Sequence, residues 1–322
     1  MPRPVHHSSP TPGPIARLWQ ADAPLTALGV VMLGVFVLTL ARLWLDPRTI
    51  TGAPAWLKPA KFAISTAIYG ITLAWIFTYL PDWPRVRRVA GWTTAAMLVL
   101  EVGIIVVQAW RGRASHFNVG TALDGALFAV MAVGILVQTL AAIVVTLTLW
   151  RQTFQDRAMG WALRLGVTIS VLGSATGGLM TAPTSPQIAE ARVTGALPVA
   201  GAHTVGAPDG GPGMPGTGWS GGHGDIRVAH FVGLHAMQAL PLLALALRQR
   251  RPERAQTRLV LVGGAGYVAF FGLLLWQALR GESFAHPGAL TTAALAVWAT
   301  LLAAAILAAG RTPVARLQTD AV

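Results

Sequence analysis

Residues 119–149 read VGTALDGALFAVMAVGILVQTLAAIVVTLTL, and the stretch contains a single charged side chain, Asp124. A helix rises about 1.5 Å per residue, so roughly 20 apolar residues cross a hydrocarbon core of about 30 Å. The stretch is apolar on all sides, whereas a helix on the surface of a soluble domain keeps a polar face. It therefore predicts a transmembrane helix.

Apolar blocks of similar length occur along the whole chain. Of the residues, 54% are hydrophobic and 11% are charged, whereas a soluble domain carries about 25% charged residues. The mean hydropathy is +0.57. We predict spans at residues 24–45, 60–80, 90–110, 119–149, 159–182, 226–247, 259–279 and 289–309. The predicted fold is an all-α polytopic transmembrane bundle of about eight helices.

The domain organisation follows from these spans. Residues 23–310 form one transmembrane domain, residues 1–22 are expected to be a flexible cytoplasmic tail, and residues 311–322 a second cytoplasmic tail. A long loop, residues 183–225, joins the fifth and sixth spans, and its second half is rich in Gly and Pro. Such a composition does not form regular helix or strand. Both a flexible linker and a lid over a binding site remain open for this loop.

The basic residues predict how the bundle is oriented. With the amino terminus in the cytoplasm, 15 of the 24 Lys and Arg residues fall on the inner side and 9 on the outer side. Lys and Arg accumulate in cytoplasmic loops, so both termini are predicted to be cytoplasmic. The net charge of +12 is explained by this topology, and no nucleic-acid partner is expected. The expected partners are the lipid bilayer and a small-molecule ligand at the outer face, and the oligomeric state is left open.

The chain contains no cysteine. This excludes disulfides, iron–sulfur clusters, thiolate metal sites and thiol catalysis. A metal or haem would need His, Met, carboxylate or Lys ligands, and we assign no metal site.

Carboxylates and histidines inside the predicted spans are few, and all fall in the outer half of the membrane: Glu101, Asp124, His230 and His235. Glu101 and His235 each lie about 13 Å below the outer end of their helices. A charge at this depth is costly and usually faces a partner or a cavity. We therefore predict a pocket for a polar ligand or cofactor, which fails if Glu101 and His235 point into lipid or lie far apart.

The residues of this predicted pocket come from four spans and the adjoining loops. Its lining comprises Glu101, His116, Asp124, Arg227, His230 and His235, with Lys58 and Lys61 at its mouth. Secondary candidates are Gln108, Asp209, Asp225, Gln238 and His286. No catalytic role is assigned to any of them.

Three classes of function are compatible with such a pocket. The first is a redox protein with haem b or a quinone as cofactor, because histidines from different helices can ligate haem and a quinone needs a polar and aromatic lining. The second is a proton- or cation-coupled transporter of small molecules, for which intramembrane carboxylates and histidines are typical. The third is a membrane sensor or assembly factor, or an enzyme acting on an outer-leaflet substrate.

Four stretches carry a resemblance to known proteins. They are WLKPAKFAIS, EVGIIVVQAWRGRASHFN, GAHTVGAPDGGPG and GDIRVAHFVGLHAMQALPLL. With them the chain resembles, over most of residues 55–245, a family of bacterial multi-pass inner-membrane proteins that has no established activity. The resemblance implies the bacterial inner membrane. The organisation of eight spans with titratable residues at the outer ends of the even-numbered ones also looks like that of haem A synthase, although Lys61 stands where a histidine is expected.

Overall fold

Eight long apolar helices run through the part of the chain that the structure describes, residues 13–311 of a computed structural model. In chain order the helices are α1 Pro14–Ala21, α2 Ala23–Leu45, α3 Leu57–Phe77, α4 Pro84–Trp110, α5 Ala122–Arg151, α6 Arg157–Met180, α7 Ser185–Thr194, α8 Ile226–Leu247, α9 Glu253–Leu279 and α10 Ala289–Gly310. Two short antiparallel pairs accompany them, β1 Thr49–Ile50 with β2 Ala53–Pro54, and β3 Thr204–Val205 with β4 Gly224–Asp225. The predicted all-α polytopic bundle is confirmed.

The helix boundaries follow the apolar blocks, with differences at charged ends. The span predicted at 226–247 matches α8 at both ends, whereas α4 begins at Pro84 instead of residue 90. Proline is favoured in the first turn of a helix, and the arginines that follow it extend α4 beyond its apolar part. Within the expected tail 1–22, Pro14–Ala21 is helical, while residues 1–12 and 312–322 lie outside the described residues.

Short polar side chains start several of the spans. Asp22, Asp156 and Asp225 each accept a backbone N–H from the first turn of α2, α6 and α8, at 2.9, 2.9 and 3.0 Å. Thr121 does the same for α5 at 3.1 Å. The first N–H groups of a helix have no partner within the helix, so these caps fix where each span begins.

The closest helix contact joins α6 and α8 through two glycines. A Cβ atom added to Gly173 would lie 2.5 Å from the backbone carbon of Gly233, and one added to Gly233 would lie 2.5 Å from Cα of Gly173. Small residues allow such an approach in membrane helices. The glycines therefore bring the first turns of α8, with its histidines, next to α6.

The two ends of the bundle differ. We call the end at which α3, α5, α8 and α10 begin the loop end, and the opposite end the arginine-rich end. The arginine-rich end contains a closely packed apolar core that includes Phe77, Leu80, Leu149 and Leu163. The sides of the bundle expose many large apolar side chains, as a lipid-facing surface does. The chain is thus a multi-pass membrane protein.

The long loop packs against the loop end. Its helix α7 begins with a capping box formed by Thr184 and Gln187. Farther along, the Ala200 N–H donates to the Phe117 carbonyl at 2.8 Å. At the other side of the bundle the Ser283 hydroxyl donates to the Gly221 carbonyl at 2.7 Å. The loop therefore has a defined path across the ends of several spans, which is the arrangement expected of a lid.

Candidate functional site

A carboxylate and an imidazole meet inside the bundle near the loop end. Glu101, on α4, is 3% exposed, and its Oε1 lies 3.3 Å from Nε2 of His116. His116 lies in the connection between α4 and α5, where its Nδ1 is 3.1 Å from the Ser115 hydroxyl. The other carboxylate oxygen, Oε2, is buried and has no hydrogen-bond partner among the described residues. Buried acceptors of this kind are rare because they lose hydration without compensation, so Oε2 marks a position where a ligand would bind.

Three phenylalanines surround the imidazole. The ring centroids of Phe62, Phe117 and Phe128 lie 5.7, 6.1 and 6.2 Å from that of His116. Phe117 has φ +62°, a left-handed conformation that disfavours a bulky residue by roughly 1–2 kcal/mol. Its hydrogen bond with Ala200 and its ring contacts hold it there. The left-handed conformation of Phe117, next to His116 in the chain, is therefore imposed by packing.

His116 is held in its neutral form. Burial lowers its pKa, the nearby charge of Lys58 lowers it further, and the bond to Glu101 partly opposes both effects. A neutral imidazole has one N–H. When Nδ1 accepts from the Ser115 hydroxyl, that N–H lies on Nε2, which is 3.3 Å from Oε1 of Glu101. The pair thus presents a carboxylate whose second oxygen remains free to accept.

Three cations lie at the mouth of this region, and we call Lys58, Lys61 and Arg227 the cation group. Lys58 is half-buried, with its ammonium 5.8 Å from the Phe62 ring and within electrostatic range of Glu101. Lys61 donates to the Thr217 carbonyl of the long loop. The structure thus brings the predicted mouth residues beside the carboxylate and beneath the loop.

Arg227 and its partner Asp225 join the loop to the start of α8. The Arg227 Nε and Nη2 donate to the two Asp225 oxygens at 2.9 and 2.5 Å. The same Nη2 also donates to the Gly218 carbonyl at 2.8 Å. Asp225 is almost fully buried and also caps α8, so this ion pair fixes the loop–helix junction.

A second histidine–carboxylate pair fixes the loop itself. Nδ1 of His203 lies 2.7 Å from Oδ2 of Asp209, and Asp209 also accepts the backbone N–H groups of His203 and Thr204. Burial lowers the pKa of His203 to about 4, so its ring is neutral at pH 7. The bonds from His203 and the two N–H groups hold the pKa of Asp209 well below its usual range despite burial. The His203 ring lies 4.8 Å from that of Phe117, which places the loop against the His116 surroundings.

His230 approaches the same region from α8. Its Nδ1 lies 2.8 Å from the Gly173 carbonyl and 3.4 Å from the Thr176 hydroxyl, both on α6. His116 and His230 lie within electrostatic range of each other. The close packing of α6 on α8 therefore brings a third histidine towards the pair.

Asp124 forms its hydrogen bonds with structural residues and not with the Glu101–His116 pair. Its Oδ1 accepts from the Gln108 amide at 2.9 Å and from Arg111 at 2.7 Å. Its Oδ2 accepts from the Thr121 hydroxyl at 2.8 Å. Asp124 and Gln108 thus form a satisfied network that ties the end of α4 to the start of α5.

His235 packs on its own helix. Its ring stacks on Phe231 at a centroid distance of 4.0 Å, and its Nδ1 lies 2.8 Å from the Phe231 carbonyl. No hydrogen bond or ion pair joins it to Glu101 within the described chain. Glu101 is buried and does not face lipid, whereas His235 is only half-buried. The structure does not bring these two predicted residues into contact.

The other secondary candidates are dispersed. The Gln238 amide donates to the Thr72 hydroxyl at 3.2 Å, which links α8 to α3, and its Oε1 is buried without a partner in the described part of the chain. His286 is exposed in the connection between α9 and α10. Neither residue contributes to the surroundings of His116.

A small, mostly apolar cavity with a few polar groups, deeper in the bundle, was not predicted from the sequence. It has a volume of about 30 Å³ and is lined in part by Tyr69, Gln138, Ser170 and Ser174. The Gln138 amide donates to the Tyr69 hydroxyl at 2.8 Å. A space of this size holds water when polar groups line it. An isolated glutamine inside an apolar span was the available signal, because a polar side chain at that depth needs a partner.

The arrangement does not form a metal centre. The described residues contain no group of three or more His, Asp or Glu side chains that could hold a metal ion. Both ring nitrogens of His116 are engaged, by Glu101 and by Ser115. What the site offers is hydrogen bonding and proton acceptance in apolar surroundings. No family model, curated protein or solved structure matches this chain.

Proposed function

We propose that this protein binds a quinone in its reduced form, a quinol, at the Glu101–His116 pair. The observation that carries the proposal is the buried Oε2 of Glu101, which lacks a donor among the described residues. A quinol hydroxyl supplies such a donor. An ionisable group at membrane depth is a functional candidate by default, and a proton acceptor must lie within hydrogen-bond reach of its ligand.

The surroundings of the pair support a flat, largely apolar ligand over a sugar or an amino acid. Phe62 and Phe128 provide aromatic faces, and aromatic rings favour offset or edge contacts with a second ring. The Lys58 ammonium has no hydrogen-bond acceptor in the described structure and is a donor for an oxygen of the quinol. The proposal covers binding of the ligand alone.

Haem b is the less suitable cofactor at the Glu101–His116 pair. An axial ligand needs a free imidazole nitrogen, and both nitrogens of His116 already contact Glu101 and Ser115. His230 and His203 each bind another protein group through Nδ1, which leaves Nε2 available and is the arrangement that axial histidines usually have. At the pair itself we therefore propose a quinol and not haem.

The test is the ligand content of the gently purified protein. Solvent extraction followed by liquid chromatography with mass spectrometry should detect quinone in the wild type and in the control variant Glu253→Gln, whose side chain is exposed at the arginine-rich end. Glu101→Gln replaces the free acceptor oxygen in part by a donor amide, so its quinone content should fall about tenfold, an affinity loss of about 1.4 kcal/mol. Equal quinone content in the two variants would contradict the proposal.

We further propose that the protein resides in a bacterial inner membrane with both termini in the cytoplasm and the loop end outside. The distribution of the 24 Lys and Arg residues supports this orientation. The pair and the cation group would then lie in the outer half of the bilayer.

A transporter is the second candidate, and the cavity beside Tyr69 and Gln138 favours it. That cavity lies deeper in the bundle than Glu101, so polar groups continue towards the middle of the membrane. Uptake of protons or a small cation into proteoliposomes that is abolished by both Glu101→Gln and Gln138→Leu, and retained by Glu253→Gln, would support this function over quinone binding.

A further inference from the structure

Arg42 is the only charged residue of α2, and its side chain lies over two tryptophan rings. Its guanidinium carbon is 5.0 Å from the ring centroid of Trp56 and 4.9 Å from that of Trp110. The two rings meet edge to face, with their centroids 6.3 Å apart. A cation over an aromatic face is attracted by the quadrupole of the ring. The rings therefore hold the guanidinium in place near the loop end of α2.

The guanidinium has no partner other than these rings in the described part of the chain. It forms no hydrogen bond and no ion pair there, and its Nε is buried without an acceptor. An arginine side chain carries five N–H donors and stays charged. A charged donor that has lost hydration and gained no acceptor is costly, so an acceptor from outside the chain stabilises it.

The acidic residue nearest to Arg42 along the chain, Asp46, is already engaged by other groups. Arg48 donates to it from Nε at 2.9 Å and from Nη2 at 2.7 Å, and Nε1 of Trp56 donates to it at 2.7 Å. The basic residue whose charge acts on Asp46 is Arg48. The last carbonyls of α2 favour a nearby cation through the helix dipole, yet accept no bond from the Arg42 side chain. Two arginines and one carboxylate thus leave this part of the surface with one net positive charge.

Arg42 lies on a face of α2 that is exposed to lipid. Leu38 and Leu45, four residues before it and three after it, share its face, and both are largely exposed. Trp110, beneath the guanidinium, is also exposed over most of its surface. Arginines near the end of a span extend their charged group to the level of the lipid head groups, where tryptophans are enriched as well. The anion that is present at this place is the phosphate of a phospholipid.

We propose that Arg42 binds the phosphate of a phospholipid with a negatively charged head group, in the leaflet at the loop end. The guanidinium fork matches two phosphate oxygens, and hydrogen bonds between charged groups are stronger than neutral ones. The exposed side chains of Trp110 and Leu45 provide an apolar surface for the glycerol and the first acyl carbons. The net positive charge favours phosphatidylglycerol over phosphatidylcholine, whose ammonium compensates its phosphate.

This proposal does not rest on quinone binding. Arg42 has no hydrogen bond or ion pair with Glu101 or His116 in the described chain. A protein without quinone can therefore still retain the lipid, and Arg42→Gln should leave the quinone content unchanged. The two proposals can thus fail separately.

The test measures which lipids the full chain retains. The wild type is purified in a mild detergent and titrated with phosphatidylglycerol or with phosphatidylcholine, and native mass spectrometry gives the population of each lipid-bound state. We expect one phosphatidylglycerol to bind more tightly than further copies of the same lipid, and more tightly than phosphatidylcholine. Equal retention of the two lipids by the wild type would overturn the proposal.

Three variants assign the bound lipid to Arg42. Arg42→Gln should weaken the tightest phosphatidylglycerol about tenfold, equivalent to about 1.4 kcal/mol. Arg42→Lys should weaken it less, because an ammonium keeps the charge without the fork. The control Arg113→Gln removes an exposed cation at the same end of the bundle and should bind lipid like the wild type. Equal binding by Arg42→Gln and Arg113→Gln would refute the assignment, and so would wild-type affinity in Arg42→Lys where Arg42→Gln does not fold.

Discussion

Nε2 of His116 lies 3.3 Å from Oε1 of Glu101, although His116 belongs to a connecting segment and Glu101 lies deep within a span. This contact is made because the chain folds back after α4 and the His116 ring packs between Phe62 and Phe128. It satisfies one carboxylate oxygen and leaves the other buried without a partner in the described chain. The first prediction concerns the energy of this pair.

Replacing His116 with Leu should destabilise the protein by about 1–3 kcal/mol, because Glu101 then has both oxygens buried without a donor. The double variant Glu101→Leu/His116→Leu should recover part of this loss, since it removes the polar partner as well. Thermal melting in one detergent gives the double-mutant cycle. Additive effects of the two single substitutions would show that the pair is not energetically coupled.

The eight long helices were predictable from sequence because each one corresponds to a long apolar block, whereas the short helices α1 and α7 have no such block. Where a boundary was wrong, as at Pro84, the missing turns carry arginines, which leave no apolar signal. Glu101 and His116 were both predicted to line the pocket, but their pairing was not predicted. It depends on the path of the connection after α4, which periodicity does not report.

The hydrogen-bond partners of the buried polar residues could not be predicted from the sequence, because they depend on how the helices pack. Asp124 belongs to the predicted pocket by depth, yet Arg111 and Gln108 satisfy it because α4 and α5 end side by side. The bond between Tyr69 and Gln138 joins residues 69 positions apart. Such contacts arise from the packing of whole helices, and a single sequence specifies them only through that packing.

The second prediction concerns the two glycines at the α6–α8 contact. Gly173→Ala should destabilise the protein by about 1–3 kcal/mol, because its Cβ would lie 2.5 Å from the backbone of Gly233 and neither helix backbone can give way locally. Gly178→Ala is the matched control on the same helix, since no atom lies within 4 Å of its added Cβ. It should be neutral or slightly stabilising, because Ala favours helix over Gly. Melting temperatures that fall equally in both variants would contradict the assigned contact.

The third prediction concerns pH. The pKa of His203 is about 4 in the folded protein and about 6.5 in an unfolded chain, so the unfolded state binds the proton more readily. The stability that this residue contributes is therefore complete above about pH 6.5 and decreases as pH falls towards 4. The lowered pKa of Asp209 acts in the same direction at lower pH.

Hydrogen exchange of the loop amides should accordingly increase between pH 7 and pH 4.5, after correction for the intrinsic pH dependence of exchange. In His203→Gln the ionisable ring is absent, and the corrected protection around residue 209 should change less over this range. The exposed His286 offers a control, because His286→Gln should leave the wild-type profile unchanged. A corrected profile that is flat in the wild type would count against the buried His203–Asp209 pair.

The fourth prediction concerns the turn between β1 and β2. Thr51 has φ +50°, and a β-branched residue in this left-handed region is strained by roughly 1–2 kcal/mol. Thr51→Asn should raise the melting temperature, because Asn tolerates this conformation better. Gly52→Ala should lower it, since φ is +74° and the added Cβ would lie 2.5 Å from the Gly210 carbonyl oxygen. The opposite order of the two melting temperatures would be inconsistent with the structure.

The last prediction tests the proposed orientation, and the absence of cysteine from the sequence makes the test direct. Single substitutions Gly222→Cys and Arg250→Cys place one thiol at each end of the bundle, both at exposed positions. In intact bacterial spheroplasts a membrane-impermeant maleimide should label Gly222→Cys alone, because the positive-inside rule puts the arginine-rich end in the cytoplasm. Lysis before labelling should make both thiols reactive. Labelling of Arg250→Cys alone in intact spheroplasts would reverse the orientation, and the Glu101–His116 pair and the cation group would then lie in the inner half of the membrane.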